Sequence, residues 1–472
     1  MKKYNESKTK VSDLKIAYIG GGSRGWAYIL MKDLAQEPDL SGCVNLYDID
    51  FEAACCNEII GNRLSAREDV VGKWKYEAKK TLQEALTDAD FVFISILPGT
   101  FDEMESDVHL PEKYGIYQSV GDTTGPGGII RALRTVPMFQ KIALAVKEYC
   151  PKAWVVNFTN PMTVCVRTLY KTFPQIKAFG CCHEVFGTQQ LILDMLKEKY
   201  GVQAKRTDLK TNVVGINHFT WLTEAKYKGI DLYELFGEYV KAHPNGTGVH
   251  TNPNWVNLPG TNLNMVKFDL FKRYGVIAAA GDRHLAEFCN GYWYLKDPDT
   301  VKSFGFTLTT VEYRKKELNS RLEKAKKYAS GEAQFVLDDS GEESVRQIKA
   351  LLGLGDIVTN VNIPNMGQVP NNPKNAVLET NAVFSEDSVR PVFAGEVPLR
   401  VNALVMRIIE EQEAVVEAGM TGDYELAFSV FVNNPNVNLP FAAARKLFDE
   451  MLENTKAYLP FYEQYKRSRN NG

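Results

Sequence analysis

Two hydrophobic rhythms divide the chain. From residue 14 to about 181, short apolar runs alternate with longer segments patterned at helical spacing. Residues 15–19, 44–48, 91–96, 154–158 and 176–180 read as strands, and 26–36, 51–66, 128–148 and 161–170 as helices. Apolar strands that alternate with helices predict a parallel sheet covered on both faces. Beyond about residue 205 the rhythm changes. Residues 211–215 and 219–227 have the look of antiparallel strands, 310–330 of a long charged helix and 342–352 of a shorter one. Residues 357–362 and 376–384 are strand-like, and the chain from 398 onward is mostly helical with a glycine-centred break at 419–422. The expected fold class is α/β, with a Rossmann-type parallel sheet over 1–205 and a mixed α+β, largely helical lobe over 206–472. No repeat or low-complexity linker separates them.

Length and composition narrow the function classes. A chain of 472 residues suits two or three lobes with large cores. Its 44% hydrophobic and 24% charged content is that of an ordinary soluble protein. A net charge of −3 without a basic block argues against nucleic acid as a partner. No apolar run approaches the roughly 18 residues a membrane helix needs, and residues 1–12 lack an apolar signal core, so a cytoplasmic location is expected. Eight cysteines scattered in apolar or glycine-rich settings read as reduced thiols.

Candidate chemistry begins at Gly20-Gly21-Gly22-Ser23-Arg24-Gly25, a G-x-G-x-x-G pattern between a strand and a helix. Glycines let the backbone approach a pyrophosphate, and the helix N-terminus stabilises its charge. Asp48 ends the next strand and is placed to accept hydrogen bonds from a ribose, with Asp50 a less well placed rival. An acidic residue there favours NAD over NADP, because it repels a 2′-phosphate. The cofactor-binding set expected is Gly20, Gly22, Ser23, Gly25, Asp48, Ser95 and Asn157.

A second group of motifs is richer. Cys182-His183-Glu184-Val185 precedes an isolated Asn217-His218, and a thiol with an imidazole makes a good ligand pair for a borderline divalent metal. Asp122-Thr123-Thr124-Gly125-Pro126-Gly127-Gly128 opens a helix, Asn157-Phe158-Thr159-Asn160-Pro161-Met162 follows a strand, and Gly281-Asp282-Arg283-His284 packs titratable groups together. Each has a plain structural reading: a lone histidine is more often structural than a ligand, Cys182 alone would be a buried apolar thiol, and Asp122 or Asn160-Pro161 could merely cap helices. Five such segments in this order make those readings hard to sustain together.

In that combination the sequence resembles glycoside hydrolase family 4, across nearly its whole length. The matching residues are the Gly20 loop, Asp122-Thr123-x-Gly125-Pro126-Gly127-Gly128, Thr159-Asn160-Pro161, Cys182-His183-Glu184-Val185 and Asn217-His218, with Asp423-Tyr-Glu-Leu-Ala427 and Asn434-Pro435 farther on. The resemblance implies a lactate/malate dehydrogenase-like fold, NAD and a divalent metal, usually Mn2+, as cofactors, and a homodimer or homotetramer. It also implies a glycosidase outside ordinary acid–base hydrolysis: oxidation at sugar C3, loss of the C2 proton, elimination of the aglycone, addition of water and re-reduction. By motif position Cys182 and His218 are the metal ligands, Asn160 touches the sugar hydroxyls, and Asp122 and Asp282 stand beside the sugar. His183 holds the place of an Asp or Asn found in phospho-sugar members, which disfavours those substrates and makes His183 a catalytic and substrate-binding candidate. The C2 base is Asp122, Asp282 or Tyr274, the last because the family's base is often a Tyr. Arg283 and His284 could bind a C6 carboxylate, so the substrate leans to an α-galacturonide, with neutral α-glucosides and α-galactosides as the alternative. A 2-hydroxy-acid dehydrogenase of the lactate/malate type needs no metal thiolate. An NAD-sensing regulator needs no Asp122, Asp282 and metal pair together.

Overall fold

The computed structural model describes residues 2–247, 262–338 and 340–470. Six parallel strands form its base: β1 (Val11–Ile19), β2 (Leu40–Tyr47), β3 (Trp74–Lys79), β4 (Phe91–Ile94), β5 (Trp154–Asn157) and β6 (Lys177–Gly180). They lie in the order 3-2-1-4-5-6 of a dinucleotide-binding sheet. The period-two geometry of a strand explains why these runs are apolar throughout. Phe91 and Phe93 enter one core together with Ile16, Tyr18 and Val44, while Val92 and Ile94 enter the opposite one with Ala17 and Ile19. Helices α1 (Trp26–Ala35) and α2 (Phe51–Ser65) cover the first face. Helices α3 (Gly125–Tyr149) and α4 (Met162–Thr172) cover the second. Helix α3 starts at Gly125 rather than 128, with Pro126 in its first turn, where a missing N–H has no consequence.

The remaining elements build on that base. Helix α5 (Glu184–Tyr200) leaves β6 and leads to the hairpin β7 (Leu209–Ile216) and β8 (Phe219–Tyr227), which are antiparallel as predicted, with β9 (Ile277–Ala278) beside β8. Between them and the C-terminus lie α6 (Met265–Tyr274), α7 (Asp282–Glu287), α8 (Val311–Ser330) and α9 (Ser344–Leu351). Strands β10 (Ile357–Pro364), β11 (Val377–Ser385) and β12 (Ser388–Pro391) then return to the main sheet and extend it antiparallel beyond β6. The join is at Asn362 opposite Gly180, where a Cβ on Gly180 would stand 2.3 Å from Met162 Sδ. The last long helix, α10 (Leu399–Thr421), ends at Gly422 with φ +80°, inside the break predicted at 419–422. It packs with the helices after it against α3. All eight cysteines are free thiols. Among the described residues, no helix is long and apolar enough to cross a membrane.

One buried ion pair anchors α3 to the segment that carries Asp107. Arg134 is fully buried and donates to both carboxylate oxygens of Asp107, at 3.0 and 2.5 Å, and to Pro98 O at 2.8 Å. Arg134→Met is expected to destabilise the protein by about 3–5 kcal/mol, because it leaves Asp107 charged, buried and unpaired. Urea unfolding measures this, and the double variant Arg134→Met/Asp107→Leu should recover part of the loss.

Candidate active site

The glycine loop is built for close approach. Gly20 has φ +90°, and a Cβ there would stand 2.0 Å from Ser95 O. A Cβ on Gly22 would meet Ala53 Cβ at 2.6 Å and Asp48 Oδ2 at 2.9 Å. Asp48 accepts from Gly22 N at 2.8 Å and from Asp50 N at 3.0 Å, which ties the acidic strand end to the loop. Asp50 is instead the N-cap of α2, accepting from Ala53 N, so the two acids divide in favour of Asp48. Ser23 Oγ accepts from Gly25 N at 3.4 Å, and Gly25 opens α1 without a side-chain cap or an acidic residue in the first turn. That leaves a helix N-terminus ready for an anion. Asn157 is fully buried, and its amide is consumed by its own turn. Its Oδ1 accepts from Thr159 N and its Nδ2 donates to Thr159 O. Asn157 therefore shapes the loop that carries Asn160 rather than presenting a free group to a cofactor, which corrects its expected role.

The thiol and the imidazole arrive from two different strands. Cys182 sits in the turn between β6 and α5 and is half-buried. His218 occupies the two-residue turn between β7 and β8 at φ +66°, a conformation uncommon outside glycine and often found where function holds a side chain. The two turns are joined through Asn360 and Glu379: Asn360 Nδ2 donates to Cys182 O at 3.4 Å and to Glu379 Oε1 at 2.7 Å, and Asn217 Nδ2 donates to Glu379 Oε2 at 3.3 Å. Thr123 donates its hydroxyl proton to Asp122 Oδ1 at 2.8 Å and contacts His218 Nδ1 at 3.0 Å. With that proton committed, Thr123 must accept from His218 Nδ1–H, which leaves the Nε2 lone pair free to ligate. Burial and the adjacent His284, whose ring lies 3.9 Å away centre to centre, push His218 down to about 3, so the imidazole is neutral. Among the described residues, no group of three or more His, Cys, Asp or Glu is arranged to hold a metal. A thiol and a neutral imidazole with a free Nε2 are donors that suit a borderline divalent metal, and Cys182 and His218 are the residues that would hold it. Asn160 Oδ1 and Asn217 Oδ1 are buried without partners.

Around this pair the charged residues are distributed unevenly. Burial opposes the charge on Asp122, yet Arg131 and Arg314 hold it well below the usual carboxylate range. Its position makes it the anchor of the Thr123–His218 relay. Asp282 is fully buried and caps α6 by accepting from Val266 N at 3.2 Å and Lys267 N at 3.0 Å, while burial raises it to about 6. Both its oxygens are in use, so the expected sugar-facing carboxylate is a helix cap. Tyr274 closes the far end of α6, roughly 12 Å along the axis at 1.5 Å per residue, and packs edge-on against Trp221. The structure does not bring it to the cluster, which sets Tyr274 aside as the base. His284 Nε2 pairs with Glu184 Oε1 at 3.4 Å, so it is not a free cation for a carboxylate. His183 lies at the rim, 52% exposed in its side chain, bonded to Glu342 at 2.9 Å and tilted against Trp26 of α1.

Several residues of this neighbourhood carried no role in the sequence reading. Asn57 donates to Gly21 O at 2.7 Å and Ser23 O at 3.0 Å and so fixes the glycine loop from below. Glu184 bridges Gly281 N, at 2.8 Å, and His284; its place in the Cys-His-Glu-Val run was the available signal. Glu379 is buried on β11, is raised to about 7 by burial, and accepts from Asn360 at 2.7 Å and Asn217 at 3.3 Å. A carboxylate amid Val377-Leu378 was its only mark in the sequence.

The comparisons with known proteins match the architecture. A model described as the family 4 glycosyl hydrolases covers residues 15–198, and one for their C-terminal domain covers 213–437. The chain is 62% identical, over 95% of its length and 97% of the relative, to a protein of Thermoanaerobacterium saccharolyticum described as an alpha-galacturonidase. A Bacillus subtilis crystal structure described as a candidate glucosidase is 49% identical, covers 93% of this chain and 100% of that one, and superposes with a TM-score of 0.88. The 6-phospho-beta glucosidase of Thermotoga maritima, solved with manganese, NAD+ and glucose-6-phosphate, shares the fold at 22% identity, covering 94% of this chain and 99% of that one, with a TM-score of 0.75. The chain belongs to family 4 of the glycosyl hydrolases.

Proposed function

We propose that this protein hydrolyses α-galacturonides by redox-assisted elimination, using NAD and a divalent metal. The observation that carries the reading is the neutral His218 imidazole, Nε2 free, in a turn linked through Asn217, Glu379 and Asn360 to the Cys182 turn. When bound, NAD+ would supply a hydride acceptor and a metal such as Mn2+ would supply Lewis-acid charge for the sugar oxygens. Cys182 and His218 would hold the metal. Asp122 acts as a positioning residue: its charge, maintained by Arg131 and Arg314, fixes Thr123 and through it the His218 tautomer. Asn160 offers its unpartnered Oδ1 to a sugar hydroxyl. The Gly20–Gly25 loop takes the pyrophosphate and Asp48 the ribose. His183 and Trp26 line the rim between nucleotide and sugar. The similarity to an alpha-galacturonidase supports the uronide as substrate, and Arg283 is the member of the predicted carboxylate-binding pair that, among the described residues, has no carboxylate in salt-bridge contact. We further assign the protein to the cytoplasm and to a homodimer or homotetramer.

The test is release of the aglycone from an aryl α-galacturonide and cleavage of digalacturonate, with and without NAD+ and Mn2+. Activity is expected only with both present. Turnover in D2O should place deuterium at C2 of the released galacturonate, read by NMR. Turnover without NAD+, or a product with no deuterium at C2, would mean direct displacement. Activity on neutral α-galactosides but on no uronide would discard the substrate and keep the family.

A further inference from the structure

Two guanidinium groups, Arg131 and Arg314, act on Asp122, a third, Arg283, acts on Arg314, and the three are not paired alike. Arg131 donates its Nε to Asn160 O at 3.1 Å. Arg283 makes one long bond, from Nη1 to Thr309 Oγ1 at 3.4 Å. Arg314, in the first turn of α8, donates Nη2 to Val120 O at 3.3 Å, and its Nε is buried with no partner. Among the described residues, neither Arg283 nor Arg314 has a carboxylate oxygen within salt-bridge distance, in contrast to the two-oxygen pairing of Arg134 with Asp107. The nearby acids make their hydrogen bonds elsewhere, with Glu287 Oε2 buried and unpartnered. Asp122 takes Thr123, Glu184 takes Gly281 N and His284, and Glu287 uses Oε1 for the Val120 and Gly121 amides.

The pair is also held in place. Ser119 Oγ donates to Arg283 O, Thr309 N donates to Ser119 O at 2.7 Å, and Arg314 binds the next carbonyl, Val120 O. Segments 119–121, α7 and the start of α8 thus fix two forks whose charges act on each other as well as on the site. Two neighbouring like charges, each half-buried and without a direct carboxylate contact among the described residues, are more favourable once an anion joins them, and a guanidinium fork matches a planar carboxylate.

We propose that Arg314, together with Arg283, forms the seat for the C6 carboxylate of the substrate and that Arg314 sets the preference for uronides over neutral sugars. This rests on the α-galacturonide reading and adds a residue that no motif marks. The enzyme loaded with NAD+ and Mn2+ is titrated calorimetrically with D-galacturonate, and NAD+ affinity is measured separately. Arg314→Met is expected to weaken galacturonate binding about 10- to 100-fold, the worth of one charge-assisted hydrogen bond, with NAD+ affinity unchanged. Arg314→Lys, which keeps the charge but not the fork, should fall between, and it carries the test if the Met variant does not fold. Galacturonate affinity within about twofold of wild type in either variant overturns the proposal. So does a parallel loss of galacturonate and NAD+ affinity, which would mark Arg314 as structural. A wild-type enzyme that neither binds galacturonate nor cleaves uronides overturns the substrate reading itself.

Discussion

Replacing Cys182 by Ser, or His218 by Asn, is expected to lower glycoside hydrolysis by roughly 1,000-fold or more while leaving the melting temperature and NAD+ binding near wild type. The metal reading has only two protein ligands, so either change removes half of them, and the several kcal/mol of charge stabilisation a divalent ion supplies at developing oxyanions is lost with it. Serine keeps the shape of Cys182 but is a poor thiolate substitute. Asparagine is the better replacement for His218, because the side chain springs from a turn residue at φ +66°, which Asn tolerates and Ala does not. Manganese binding, followed by electron paramagnetic resonance, should fall in parallel with activity. Full activity of either variant in chelator-treated buffer would sink the assignment.

Gly20→Ala should damage both fold and cofactor affinity. Its Cβ would lie 2.0 Å from Ser95 O and 2.8 Å from the same carbonyl carbon, both backbone atoms of the neighbouring strand end, at φ +90°. No rotamer change relieves a clash with backbone. The loop or the end of β4 must move, at about 2–4 kcal/mol for overpacking and the left-handed conformation together. Because the loop's amides then miss the pyrophosphate, the Kd for NAD+ should rise at least about tenfold. Urea unfolding and NAD+ titration measure the two effects. A variant with wild-type values for both would show that the loop is looser than its packing indicates.

How far these sites were legible from the residues differs by the range of the forces that build them. The glycine loop, its strand and helix, and Asp48 lie within 38 residues, from Val11 to Asp48. Local sterics and period-two burial decide their conformation, and the same segments read from the sequence recur in the structure. The motif residues Asp122, Cys182 and His218 were likewise marked, since a charge or soft ligand beside glycines at a strand end has few other uses.

What tertiary structure alone decided is which of these groups remain free. Asp282 became a helix cap because the N-terminus of α6 happens to meet it. Tyr274 was carried away because a ten-residue helix separates its two ends. Glu379 reached the turns that carry Cys182 and Asn217 because β10 and β11, more than 170 residues after β6, extend the main sheet beside Gly180. Arg314 lies on a charged helix whose sequence suits a solvated surface, and only the docking of that helix against Val120 buries its Nε. Hydrogen-bond partners across such separations follow from how whole elements pack. Periodicity along the chain records which face of an element is buried but not what it is buried against.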